Sequence, residues 1–208
     1  LKSSIVEVEI PTDVAIASIL HKVASKHNIK FIIGGGNYAT EGILPKSWFY
    51  NPKDLKLLKS IQKQFGTKKM KTFPSFDWKA EIYYKFVRGI RIVYLLNLLP
   101  FNKTEALTLL KEKVGYHEYG GKHHESVYTR FVQSYIQPVK FNLDYRRATF
   151  SSQICSGEIT RDEALKLLKQ PSYDDLQVEK DKDYASKKFG ISLEEFTSIL
   201  NAPPKSYK

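Results

Sequence analysis

The order of signals in the first forty residues constrains the fold most. Ile5-Val6-Glu7-Val8-Glu9-Ile10 is β-branched and partly alternating, and predicts a strand ended by Pro11. Asp13 is placed to cap a helix over residues 14–26, with Val14, Ala17, Ile19, Leu20 and Val23 as its apolar stripe and Asn28 closing it. Ile29-Lys30-Phe31-Ile32-Ile33 reads as a buried strand, and Gly34-Gly35-Gly36-Asn37 follows at once. Strand, helix and strand in that order make a parallel α/β unit. Such sheets bind ligands beyond the carboxyl ends of their strands, where the glycine run falls.

Further along, the pattern predicts a basic helix over 54–64 ended by Gly66, a strand over 91–96, and a helix over 103–114 closed by Gly115. A helix over 125–137 is expected to stop at Pro138. The last third differs in character. Thr160 with Glu163, and Ser192 with Glu195, are capping-box pairs that each open an apolar helical run. The expected division is an α/β domain over 1–156 and a small helical subdomain over 157–208.

The formal charge of +11 favours an anionic partner: a nucleotide, a sugar phosphate, nucleic acid or an anionic membrane. Much of the excess lies in residues 53–91, with eleven Lys/Arg against Asp54, Asp77 and Glu81. The single cysteine, Cys155, excludes a disulfide framework and a cysteine-rich zinc site, fits a cytoplasmic setting, and reads as a buried structural thiol. The apolar run 82–99 is broken by Lys85, Arg88, Arg91 and Asn97, so no membrane span is expected. Neither a Gly-x-Ser-x-Gly elbow nor a Gly-x-x-x-x-Gly-Lys-Ser/Thr loop is present.

Three polar clusters carry candidate chemistry. Gly35, Gly36 and Asn37, with Thr40 and Glu41 on the same rim, can bring backbone N–H groups to a ligand, although a tight turn explains a glycine run as well. The run YGGKHHESVYTRF (119–131) holds Lys122, His123, His124, Glu125, Ser126, Thr129 and Arg130. Lysine and arginine suit phosphate oxygens, and a histidine beside them can move a proton. The plainer alternative is a solvated helix start. The third cluster is Lys140, Asp144, Arg146, Arg147, Ser151 and Ser152, for which an interdomain salt-bridge set is the alternative. No metal site is expected, because adjacent histidines rarely point at one ion.

GGGNYATEGILPKSW (34–48), YGGKHHESVYTRF (119–131), the run FNLDYRRATFSSQICSGEITR (141–161) and the closing PPKSY resemble, in order, the N-acetyl sugar amidotransferases of bacterial surface-polysaccharide biosynthesis. That family is similar to ATP pyrophosphatases of the PP-loop type. The resemblance implies the C-terminal part of an adenine nucleotide alpha-hydrolase-like (Rossmann-like) parallel-sheet domain. It implies ATP-dependent conversion of the acetamido group of a nucleotide-linked N-acetyl sugar to an acetamidino group, in lipopolysaccharide or O-antigen biosynthesis. ATP with Mg2+ would be the cofactor, and a glutaminase with a cyclase-like ammonia-channelling subunit the partners. On this reading Lys122, His123, His124 and Arg130 are the catalytic candidates. Gly35, Gly36, Asn37, Thr40 and Glu41 border the nucleotide. Glu125, Ser126, Thr129, Lys140, Arg146 and Arg147 hold substrate.

Two departures qualify the resemblance. The chain has no Ser-Gly-Gly-x-Asp-Ser loop, and Thr12 stands where a cysteine is expected. With no methionine at position 1, the chain is expected to be the C-terminal portion of a longer enzyme and inactive alone. The competing class is a basic nucleic-acid-binding module, supported by the charge and abundant aromatics. A partner-docking surface on 53–91 and the helical tail is compatible with the first reading.

Overall fold

Pro11 opens a helix instead of ending a strand. The computed structural model describes residues 1–48, 51, 54–118, 124 and 126–205. In it α1 spans Ile10–Lys26 with the proline in its first turn, where the missing N–H would have no helical partner anyway. The strand expected over 5–10 is therefore absent. Residues 1–9 stay irregular, yet Ile5 and Val6 are buried. Asn28 does close the helix: its φ is 56°, and the Ile29 N–H donates to the Ala24 carbonyl at 2.8 Å. The predicted stripe splits. Val14 is buried, but Ile19, Leu20 and Val23 are about half exposed.

The two remaining strands form, but the first, expected to be buried, leaves Phe31 60% and Ile33 61% exposed. β1 (Phe31–Gly34) and β2 (Arg91–Tyr94) pair in parallel, Phe31 beside Arg91 and Gly34 beside Tyr94. The crossover between them carries α2 (Tyr38–Glu41), α3 (Leu55–Phe65) and α4 (Trp78–Ile82), which continues as a π-helical turn, Tyr83–Val87. Arg88 locks the return: its Nε and Nη2 donate to the hydroxyl and carbonyl of Ser25, both at 2.9 Å. Asp54 caps α3 through the Leu57 N–H at 2.9 Å. Leu58 then packs with Ile5, Ile10, Val14 and Phe76 in a first core.

α5 (Lys103–Val114) keeps its predicted bounds, capped by Asn102 and closed by Gly115 at φ 64°. The next helix does not stop at Pro138. α6 (Val127–Phe131) runs through a π-helical turn, Val132–Ile136, into α7 (Gln137–Phe141), which ends at Asn142 in the left-handed region. A proline inside a helix strands the carbonyl one turn back. Here the Ser134 carbonyl accepts the Ser172 hydroxyl at 2.9 Å, so the helix passes the proline at little cost.

α8 (Arg146–Cys155), α9 (Arg161–Leu168), α10 (Asp175–Phe189) and α11 (Leu193–Asn201) complete the chain. Thr160 and Glu163 form the reciprocal capping box. At α11 only half of one forms: Ser192 caps, while Glu195 reaches Lys2 at 3.1 Å. Cys155, expected to be buried, is exposed. The helices after Gly157 share a core with α6 and its π turn: Val178, Ala185 and Phe196 pack on Phe131, Val132 and Ile136, with Leu1 and Val8 against them. Among the described residues no helix is long and apolar enough to cross a membrane.

Phe131 is 1% exposed and stacks on both Tyr135 and Phe196. Phe131→Ala is expected to lower unfolding free energy by about 3–5 kcal/mol in urea denaturation. Leu176→Ala, at a side chain 76% exposed, should change it by less than about 0.5 kcal/mol.

Candidate functional site

The glycine run is filled by the protein itself. A Cβ on Gly34 would lie 2.7 Å from the Tyr94 ring, and one on Gly36 would lie 3.2 Å from the same ring and from Glu41. The glycines therefore admit Tyr94. Only Gly35 faces open space. The Asn37 side chain caps α2, accepting from the Thr40 N–H at 2.9 Å and the Thr40 hydroxyl at 3.1 Å. α2 is tied to α8, where the buried Ser152 hydroxyl accepts the Ile43 N–H at 3.0 Å. Along this rim Thr40 is buried and Gly36 and Asn37 are half-buried, whereas Gly35 and Glu41 are exposed.

A cavity of about 510 Å³ opens on the other side of α8. Its floor is Tyr145, Arg146, Thr149, Phe150 and Gln153 of α8 and the turn before it. Gln133 and Ser134 come from the π turn after α6. Lys103 heads α5, Ile159 and Leu167 come from the α9 side, and Ser172 and His124 complete the rim. The balance of one apolar wall and a few converging polar groups is that of a small-molecule site.

The cavity's shape rests on two clamps. Glu158 accepts the Lys103 backbone N–H at 2.8 Å and the Gln153 amide at 3.1 Å, joining the start of α5 to α8. Arg146 holds the opposite edge. It donates to both oxygens of Asp144, the shortest contact being 2.7 Å, and its Nη1 donates to the Gln170 carbonyl at 3.0 Å. Ser172 fixes the same loop to Ser134. Burial alone would raise the Asp144 carboxyl, but the Arg146 hydrogen bonds and charge overcome it and hold it below its ordinary range.

Of the residues singled out from sequence, His124, Asp144 and Arg146 meet in this cavity. Lys122, His123 and Glu125 lie outside the described residues. Ser126 caps α6 through the Thr129 N–H, and the Thr129 hydroxyl donates to Glu9 at 2.7 Å. Arg130 grips buried Asp181 through Nη2 at 2.7 Å and Nε at 3.3 Å, pinning α10 to α6. Lys140 donates to the Ser4 hydroxyl at 3.1 Å and the Ile199 carbonyl at 2.9 Å, and burial lowers its ammonium below the ordinary value. Arg147 is exposed. Sequence reasoning missed Lys103, Tyr145, Gln153 and Glu158. Lys103 looks like an ordinary first-turn residue, and only tertiary packing aims it at α8. Among the described residues no group of three or more His, Cys, Asp or Glu is placed to hold a metal ion.

Glu7 is a half-buried acid within electrostatic reach of Tyr145. Burial pushes the Glu7 carboxyl up to about 7, aided by the charges of Asp13 and Glu9 and opposed by the Glu9 N–H it accepts at 3.3 Å. Burial and Glu7 together push the Tyr145 hydroxyl up to about 12, so it stays protonated as a donor. A folded-state pKa above the unfolded value means the folded chain holds the proton more tightly. Stability is then lost as pH rises between 4.5 and about 7. Glu7→Gln should therefore raise the melting temperature at pH 8, through a gain in unfolding free energy on the order of 2–3 kcal/mol. The gain should vanish towards pH 4.5, as a pair of thermal melts would show.

No curated protein and no solved structure matches the chain. A family match covers the part that carries α6 to α11 and most of the cavity wall. Residues 125–208, with the π-turned helix, the Arg130–Asp181 pair and the clamped loop, match the family model described as LPS biosynthesis protein WbpG-like, C-terminal domain.

Proposed function

We propose that this chain is the C-terminal part of an ATP-dependent sugar amidotransferase of lipopolysaccharide biosynthesis, and that the cavity on α8 holds the N-acetyl sugar of its nucleotide-linked substrate. The observation that carries the reading is the cavity itself, at the end of the 119–131 run and within the family match on most of its lining. The overall change would be replacement of the acetamido oxygen by nitrogen, a C–N ligation requiring ATP.

The described residues do not fit ATP with Mg2+. Gly34 and Gly36 lie against Tyr94, and Asp144, the one carboxylate among the described residues that line the cavity, is taken by Arg146. This chain's share of the work is then to bind and orient the sugar. Tyr145 and Phe150 offer the apolar wall against which a pyranose ring packs. Gln153 and Gln133 can pair with hydroxyls or with the acetamido group, since an amide both donates and accepts. Lys103 supplies positive charge for a phosphate on the sugar. His124, which lines the cavity, would exchange a proton at the acetamido group. The exposed apolar side chains of β1 and β2 support a larger sheet in the whole enzyme, because parallel sheets are normally covered on both faces. That larger sheet is the proposed Rossmann-like PP-loop part, and it would hold ATP and Mg2+. The exposed stripe of Trp78, Ile82 and Phe86 is the surface proposed to receive a glutaminase or cyclase-like partner. A cytoplasmic setting follows from a nucleotide-linked substrate.

Titration calorimetry of this chain with a panel of nucleotide-linked N-acetyl sugars tests the cavity. Binding is expected, and Lys103→Ala or His124→Ala should weaken it about tenfold, as loss of one charge-assisted contact does. Arg147→Ala should leave it unchanged. In the enzyme that contains this chain, AMP release requiring both sugar and ammonium checks the reaction class. ADP release instead would overturn it.

A further inference from the structure

Four lysines converge at the far end of α3. Lys59 and Lys63 stand one turn apart on the helix, and Lys68 and Lys69 lie on the loop that follows it. With Thr67 and Met70 they line an open groove of about 380 Å³ that contains no carboxylate. Among the described residues, none of the four takes part in an ion pair.

The loop is built to bring them together. The Gln62 amide Nε2 donates to the Lys68 carbonyl at 2.5 Å, and the Gly66 N–H donates to the Gln62 carbonyl at 2.8 Å. A Cβ on Gly66 would stand 2.0 Å from Gln62 Nε2. Only glycine there lets Gln62 reach across and fold the lysine-bearing loop back on the helix. Met70 anchors the far side in the first core. Lys63 by itself has an ordinary reason to be where it is, since a cation complements a helix C-terminus. Lys68 and Lys69 lie past the helix and have no such reason. Like charges one helical turn apart repel, and folding two more against them adds to the repulsion. A multiply charged anion relieves it. Lysine suits such a ligand as a flexible point charge for phosphate oxygens.

We propose that this groove is a second anion site, separate from the cavity on α8, that takes a multiply charged phosphate group. The group arrives either on a soluble oligophosphate or on a phosphate-bearing lipid headgroup, and the test separates the two. The whole 208-residue chain is titrated by calorimetry with pyrophosphate and tripolyphosphate at low and high salt. In parallel it is sedimented with phosphatidylcholine vesicles containing phosphatidylglycerol. Binding that weakens with salt is expected. The double variant Lys63→Gln/Lys69→Gln should lose about tenfold in affinity. Gln62→Ala keeps every charge and frees the loop, so it should lose affinity too, with the fold verified by circular dichroism. Oligophosphate binding with these losses supports the site with a soluble ligand. Vesicle binding alone, with the same losses, supports it with a lipid source. Three results would overturn it: no binding, binding that Lys111→Gln/Lys113→Gln on α5 weakens equally, or binding of a single-stranded oligonucleotide only.

Discussion

Nine residues without regular structure join the two cores of this protein. Ile5 packs in the core of α1 and α3, while Leu1 and Val8 pack on the core of α6, α10 and α11. Irregular backbone can cross an interior only if its polar groups find partners. Here Lys140 donates to the Ser4 hydroxyl, the Lys205 N–H donates to the Ser4 carbonyl, and Thr129 donates to Glu9. Ser4 adopts a φ of 52°, in the left-handed region, to make that crossing. Several side chains that look like reactive groups in the sequence are therefore occupied with holding this segment. Lys140 and Thr129 are the clearest cases.

The same economy of polar groups shapes the cavity. Its walls come from helices far apart in the chain, and apolar packing alone would not set their spacing. Glu158 and Arg146 do so through charge-assisted hydrogen bonds, which are stronger and more directional than neutral ones. Neither has to touch a ligand to matter. Lys103 and Tyr145 line the space between these two clamps.

Local signals read well wherever the chain's own neighbours decide the outcome. The ends of α5 follow from Asn102 and Gly115, the start of α9 from the Thr160 box, and the turn after α1 from Asn28. The errors share a cause. Ile5 to Ile10 alternates like a strand but has no strand beside it, so Pro11 wins and a helix begins. Pro138 should end a helix, yet Ser172, distant in sequence, satisfies the carbonyl it strands. Glu195 has the capping-box position but finds Lys2. Within the site, His124 and Arg146 were legible as polar residues in dense clusters. Glu158 and Lys103 were not, because each owes its place to a partner more than fifty positions away.

The bond between Ser172 and Ser134 has a consequence for selectivity. Both residues line the cavity, so the hydroxyl that mends the proline-interrupted helix also faces whatever enters. A guest that attracted this hydroxyl would strip the half-buried Ser134 carbonyl of its partner, at a cost of up to about 1–3 kcal/mol if no water replaces it. Guests with a strong acceptor at that corner are thus disfavoured through the backbone of the helix that lines it. The imperfection in the helix acts as a filter on the chemistry of its contents.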